Sequence, residues 1–444
     1  MIHELRILPP LAIARFGSAT TPMDNYDVVV DPDNPLGYRR LAPAETLELD
    51  VDSGEITRAF VPDELSFTEQ RRVRPVAPFL EVWALTGDEQ LTGGGQLEPL
   101  TSELLQAEGA SVADLSWQVQ VANLKVFRRT KVEDDKVQAD SGEFSDHARR
   151  PLVGESENFL PGKTIALGHV QYVKPTPAHP EIRLRFTPAG GFVYGSDRPP
   201  PPGNPTPDPN LADVVYDARR GGWDDHFDAD DDAGVTLPWE IYARRMRTVG
   251  GRAVSDGYLD DGCDGIVRVT LAARGRAALR AFARVGAGPP TYAPDAVPIR
   301  SVADELEQAL LGPEVAPADA TFERVEEIVR RAFETVRLMN TTYYNVGGVG
   351  GGRAIMDPSL VDTIALENLH QSLLMALRGG TAPWFADVLR KYDEAGDLSV
   401  LGRRKMPAMM RGADGYPMTL TRRQIELIRT LARGPMFTDE EDPQ

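Results

Sequence analysis

Trp117-Gln118-Val119-Gln120-Val121 and Ile266-Val267-Arg268-Val269-Thr270-Leu271 both alternate apolar and polar side chains. A period of two marks a strand with one face buried and the other in water. Ile182-Arg183-Leu184-Arg185-Phe186 repeats the pattern, and Phe79-Leu80-Glu81-Val82-Trp83 fits a further strand. Between them stand turn signals, Thr92-Gly93-Gly94-Gly95 and Pro188-Ala189-Gly190-Gly191. Residues 1–300 therefore predict a β-rich region of antiparallel, sandwich-like sheets. The stretch from Arg198 to Asn210 holds seven prolines, which cannot donate to a sheet, and reads as a stiff loop or linker.

The period changes after residue 300. Phe322, Val325, Ile328, Val329, Ala332, Phe333 and Val336 fall at helical spacing with Glu and Arg between them. Leu360, Ile364, Leu366, Leu369, Leu373 and Leu377 suggest a second helix, and Trp384 to Tyr392 a third. Thr421-Arg422-Arg423-Gln424 has the spacing of a capping box and opens a fourth, carrying Ile425, Ile428 and Leu431. The expectation is an α+β protein, with residues 1–300 β-rich and 301–444 helical.

Forty-eight basic against 67 acidic residues give a formal charge of −19, which repels phosphate backbones and argues against a nucleic-acid partner. No run approaches the roughly 20 apolar residues of a membrane helix, so no membrane partner is expected. Met1 to Gly17 shows no basic region followed by an apolar stretch and a small-residue cleavage site. Cys263 is the single cysteine, which excludes an internal disulfide and a multi-cysteine zinc site. These features predict a cytoplasmic protein.

Six short motifs, in order along the chain, resemble those of the LodA-like family of lysine-ε-oxidases and glycine oxidases. Pro10-Leu11-Ala12-Ile13-Ala14-Arg15-Phe16-Gly17 is similar to its opening P-x-I-G-I-A-R-V-G. Trp117 through Ala122-Asn123-Leu124-Lys125 resembles W-x-V-x-x-A-N-K-K. Asp260-Asp261-Gly262-Cys263-Asp264-Gly265-Ile266-Val267 resembles D-D-x-S-D-G-P-V, and Gly288-Pro289-Pro290-Thr291-Tyr292-Ala293-Pro294 resembles A-P-P-D-F-A-P. Met406-Pro407 through Gly412-Ala413-Asp414 is similar to M-P-x-L-x-G-D, and Leu420-Thr421-Arg422-Arg423-Gln424 to the L-T-x-x-Q helix start.

The resemblance implies oxidative deamination of an amino acid with oxygen, on a cysteine tryptophylquinone formed by crosslinking a Cys to an oxidised Trp of the same chain. In the family those residues, and the aspartate that assists them, lie beyond the L-T-x-x-Q helix. The residues after Gln424 in this sequence contain neither Cys nor Trp, so no position inherits a cofactor role. The expectation is a family homologue with no quinone of its own: a scaffold, a partner subunit or a pseudoenzyme, completed by self-association or by a separately encoded chain. The alternative is an active amine or amino-acid oxidase whose quinone is built from other residues.

That alternative selects candidates. Cys263 would crosslink to Trp384 or Trp239, with Asp260, Asp261 or Asp264 as base. The plainer reading makes Cys263 a small turn or strand-entry residue, its thiol kept protonated by the neighbouring carboxylates. Asp228-x-Asp230-x-Asp232 presents alternate carboxylates as a calcium loop does, but the glycine comes one place late and no Glu closes the loop. A solvated acidic loop competes with a Ca²⁺ site there. Gly347 to Arg353 lacks the Lys-Ser/Thr of a phosphate loop, no two of the six histidines form a zinc-binding helical pair, and no G-x-S-x-G elbow exists. Met406 to Met410, Trp384, Phe385 and Ile425 are the candidates for an apolar face that a partner covers.

Overall fold

The computed structural model describes residues 1–33, 40–70, 72–87, 95–198, 212–226, 247–249, 252–255, 257–272, 277–288, 299–337, 373–389 and 420–433. The protein is β-rich α+β, mostly strands in several antiparallel sheets with helices mainly toward the C-terminus.

Two sheets make the sandwich. The first runs Ile2–Leu8, Phe79–Thr86, Arg183–Thr187, Ile165–Tyr172, Arg150–Gly154, all antiparallel, with Gln96–Pro99 also pairing Phe79–Thr86. The second runs Val137–Asp140, Leu115–Asn123, Cys263–Leu271, Leu279–Gly288, Leu11–Arg15, and its last pair is parallel. The period-two pattern has the expected consequence. Leu80, Val82, Leu184, Phe186, Val170 and Tyr172 of the first sheet and Trp117, Val119, Val267, Val269 and Val285 of the second share one buried core. Trp117 and Tyr172 meet across it with ring centroids 5.8 Å apart.

A small third sheet leans on this core. Val193–Ser196 pairs in parallel with Asp213–Tyr216 and antiparallel with Leu259–Asp260. Its far end is tied by Asp135, a buried carboxylate that accepts from Tyr216 Oη (2.6 Å), Asn158 Nδ2 (2.9 Å) and Thr130 Oγ1 (2.6 Å). Three donors on one acceptor pair leave nothing buried and unmet there.

A second core gathers the helical part. Val325, Ile328, Val329 and Ala332 of Phe322–Arg337 pack with Leu373, Leu374, Leu377, Phe385 and Ile425, Leu427 and Ile428 of Arg422–Arg433. The expected capping box is present: Gln424 N donates to Thr421 Oγ1 (3.1 Å) and Thr421 N to Gln424 Oε1 (2.8 Å). Of the helix expected over 360–377, residues 373–378 are helical and the rest lies outside the described residues. The helix expected from Trp384 is instead a short 3₁₀ turn, Pro383–Val388. Pro383 sets the first φ and removes a donor, and the stretch is too short to repay α-helix nucleation. The side chains of 333–337, and with them Phe333 and Val336, lie outside the described set, as does the Gly347–Arg353 loop. Among the described residues no helix is long and apolar enough to cross a membrane.

Candidate functional site

The Asp260-Asp261-Gly262-Cys263 stretch sits where the chain passes from the third sheet to the second. Asp260 ends the short strand Leu259–Asp260 and is buried. Asn123 Nδ2 donates both to its carbonyl (2.8 Å) and to its Oδ1 (2.9 Å), and Lys125 Nζ pairs with its Oδ2. A buried carboxylate needs such a partner, because an unpaired charge in a low-dielectric interior is very costly. Gly262 makes the arrangement possible: a Cβ there would stand 2.8 Å from Lys125 Nζ and 3.3 Å from Asp260 Oδ2.

Asp261 is sealed completely. Its Oδ2 accepts from the amides of Gly191 (3.0 Å) and Phe192 (2.8 Å), and its Oδ1 has no hydrogen-bond partner. Burial raises its pKa to about 7, against the pull of the two amides and with a further push from Asp260. Tyr194 is pushed up to about 12, first by its own burial and then by Asp261.

Cys263 opens the strand Cys263–Leu271, as a strand-entry residue should, and its Sγ lies 3.5 Å from the Leu167 carbonyl oxygen. Burial first, then Asp261, Asp264 and Asp260, push its thiol far above the ordinary range. It is a protonated thiol donor, not a nucleophile. Asp264 turns the other way: it is 65 % exposed and faces Arg128 at 3.6 Å.

The same geometry tests the quinone. Val269 pairs with Trp117, and Cys263 stands six residues away along that strand, roughly 20 Å. Trp223 Nε1 is committed to the Tyr258 carbonyl at 2.6 Å. Trp384 belongs to the helical part, 55 % exposed and edge-on to Phe385 at 6.0 Å. On these contacts Cys263 is a structural thiol: its sulfur meets the Leu167 carbonyl, Trp117 stands well along the sheet from it, and Trp384 belongs to the helical part. Trp239 lies outside the described residues, as do the calcium candidates Asp228, Asp230 and Asp232. Among the described residues no group of three or more His, Cys, Asp or Glu is placed to hold a metal.

The structure therefore brings Asp260, Asp261 and Cys263 together, turns Asp264 outward, and leaves Trp384 exposed on the helical part. Sequence reasoning missed a second polar site. A cleft of about 230 Å³ lies among Val302–Leu311, Phe322–Arg337 and Arg422–Arg433. Arg331 grips Asp304 through both terminal nitrogens (2.9 and 3.1 Å), and Arg423 Nε meets Glu307 at 3.0 Å. Arg423 also donates to the Glu314 carbonyl at 2.5 Å. These pairs staple three helices, so much of the cleft's charge is spent internally. Burial raises the affinity of Glu327 for its proton.

No family model and no curated protein matches this chain. Among solved structures it is similar to the L-Lys ε-oxidase from Marinomonas mediterranea. For the Schiff base intermediate with L-Lys the identity is 15 % and the TM-score 0.36, covering 97 % of this chain and 61 % of that one. Two other structures of that oxidase give 14 % identity with the same coverage and TM-score. The chain thus spans 61 % of the length of these oxidases, and a likeness at that level assigns no role to any residue.

Proposed function

We propose that this chain is a LodA-like homologue that serves as a scaffold or partner subunit and does not build a quinone on Cys263. The observation that carries the reading is the closed state of the Asp260–Cys263 turn. Asp260 is neutralised by Lys125, Asp261 is held by two amides, and the thiol is buried against Leu167. Each group is committed to joining two sheets. A quinone cofactor supplies an electron sink that no ordinary side chain offers; on this reading the chain's part is to hold or position a partner. The purified protein should be colourless in visible light and negative in a quinone redox-cycling stain. A visible chromophore that survives denaturation would overturn the proposal.

A scaffold needs a surface. Phe385 and Ile425, two of the apolar candidates for such a face, are used inside the helical core, and Met406 to Met410 lie outside the described residues. Trp384 remains exposed, and Val302, Leu306 and Leu310 form an exposed apolar ridge at four-residue spacing on Val302–Leu311. Ridges of this kind on a folded protein are covered by another protein more often than left in water. Light scattering at micromolar concentration should give a mass above the 48.6 kDa of one chain, and Leu310→Glu should return it to one chain. A single-chain mass for both proteins, with no partner retained on the ridge in a pull-down, contradicts this part of the proposal.

A further inference from the structure

The outer face of the second sheet is apolar where water is expected. Ala12, Ala14, Ala283, Val285 and Val267 point into the core, so strand alternation turns Leu11, Ile13, Phe282, Arg284 and Ile266 to the opposite side. The register sets Leu11 and Ile266 on either side of Arg284. Phe282 lies two places before Arg284 on the same strand, Arg280 two places before that, and Ile13 two places beyond Leu11 on its own strand. Four apolar residues thus gather around one arginine, with a second arginine at their border. Leu11 and Ile13 are more than half exposed, and Phe282 is 65 % exposed, more than Trp384 or Phe192. Single exposed apolar residues are ordinary on a folded protein, but a contiguous group marks an interaction surface.

The charge on this face runs against that of the chain, which is −19. Two carboxylates share the face, and both are already engaged. Asp140 accepts from Gln118 Nε2 at 3.0 Å and from Gln120 Nε2 at 2.7 Å, and Asp264 faces Arg128 at 3.6 Å. Arg280 and Arg284 are exposed and make no ion pair among the described residues. At physiological salt a charge is screened beyond about 8 Å. A partner resting on the face therefore meets its arginines and not the distant acidic surface.

We propose that this face docks an acidic amphipathic helix of another protein. In layered folds an apolar sheet face is covered by a second layer, and a helix offers one apolar stripe with polar flanks. The stripe lies on Leu11, Ile13, Ile266 and Phe282. Carboxylates on its flanks meet Arg280 and Arg284, whose planar forks take two oxygens of one group. A single-stranded nucleic acid fits the face less well: it would use the arginines and one ring, and leave three aliphatic residues with nothing to stack on. The inference rests on the scaffold reading and gives the chemistry of the partner, on a different element from the Val302–Leu310 ridge.

The probe is a synthetic amphipathic helix with a leucine stripe flanked by glutamates, carrying a dye and titrated with the full chain by fluorescence anisotropy. The same peptide with lysines in place of the glutamates is the control. The acidic peptide should bind saturably and about tenfold tighter than the lysine form. Arg284→Glu should reverse that preference, and Phe282→Ser should weaken binding of the acidic peptide by about tenfold. Both positions are exposed, so both variants should melt as the wild type does. Leu310→Glu, the ridge variant, should bind the acidic peptide like the wild type, which separates this face from self-association. A coloured protein that still binds the acidic peptide in this way would count against the scaffold reading and for this face. Equal affinity for the two peptides, an affinity unchanged in Arg284→Glu, or tighter binding of oligothymidylate that the same substitutions remove, would overturn the proposal.

Discussion

Between pH 5 and pH 8 the Asp261→Asn protein should gain stability relative to the wild type, by roughly 2–3 kcal/mol. The sign follows from the direction of the shift. Asp261 in the fold holds its proton up to about pH 7, whereas the unfolded chain releases it near 3.8. Its contribution is present in full below the lower value and is lost as the pH rises through the upper one. Asn keeps an oxygen for the Gly191 and Phe192 amides, at the 3.0 and 2.8 Å positions, and cannot ionise. A constant penalty for the unpartnered position now held by Oδ1 cancels when only the pH dependence is compared. Urea midpoints of both proteins at five pH values measure the difference. Parallel profiles would show that Asp261 ionises freely in the fold.

Lys125→Met should destabilise the chain by about 2–3 kcal/mol, because it strands the Asp260 charge in a buried site. The effect stays below that of a wholly sealed pair, since Lys125 is 39 % exposed. Asn123 would remain as a donor to both Asp260 oxygens it now serves. Adding Asp260→Asn to Lys125→Met should recover part of the loss, the signature of coupling in a double-mutant cycle. Purely additive losses would mean that the ion pair does not secure the turn.

The sandwich strands and the Thr421–Gln424 box were legible in the sequence because their signals are local. Period-two alternation at Trp117–Val121 and at Ile266–Leu271 needs no knowledge of the partner strand. Cys263 was legible as a small turn or strand-entry residue from its place in the Asp260–Val267 motif, and it opens Cys263–Leu271. The three aspartates around it were not separable. Asp260, Asp261 and Asp264 look alike in the chain, and their fates are set by distant groups: Lys125, the Gly191–Phe192 amides and open solvent. Glu307 and Arg423 meet across 116 positions of sequence. The turn at Pro383–Val388 was misjudged because a short apolar run fits several helical periods.

The closed turn has a direct chemical consequence at sulfur. Cys263 is the single cysteine of the sequence, so one residue reports on any crosslink. The decisive measurement is the intact mass of the purified chain after alkylation in denaturant without reductant. The predicted result is the sequence mass plus one alkyl group, with native protein left unmodified over the same time because the thiol is buried and protonated. A chain that takes up no alkyl group even when unfolded, and whose mass shows added oxygen, would mean that Cys263 is bonded into a cofactor, and would contradict its assignment as a structural residue.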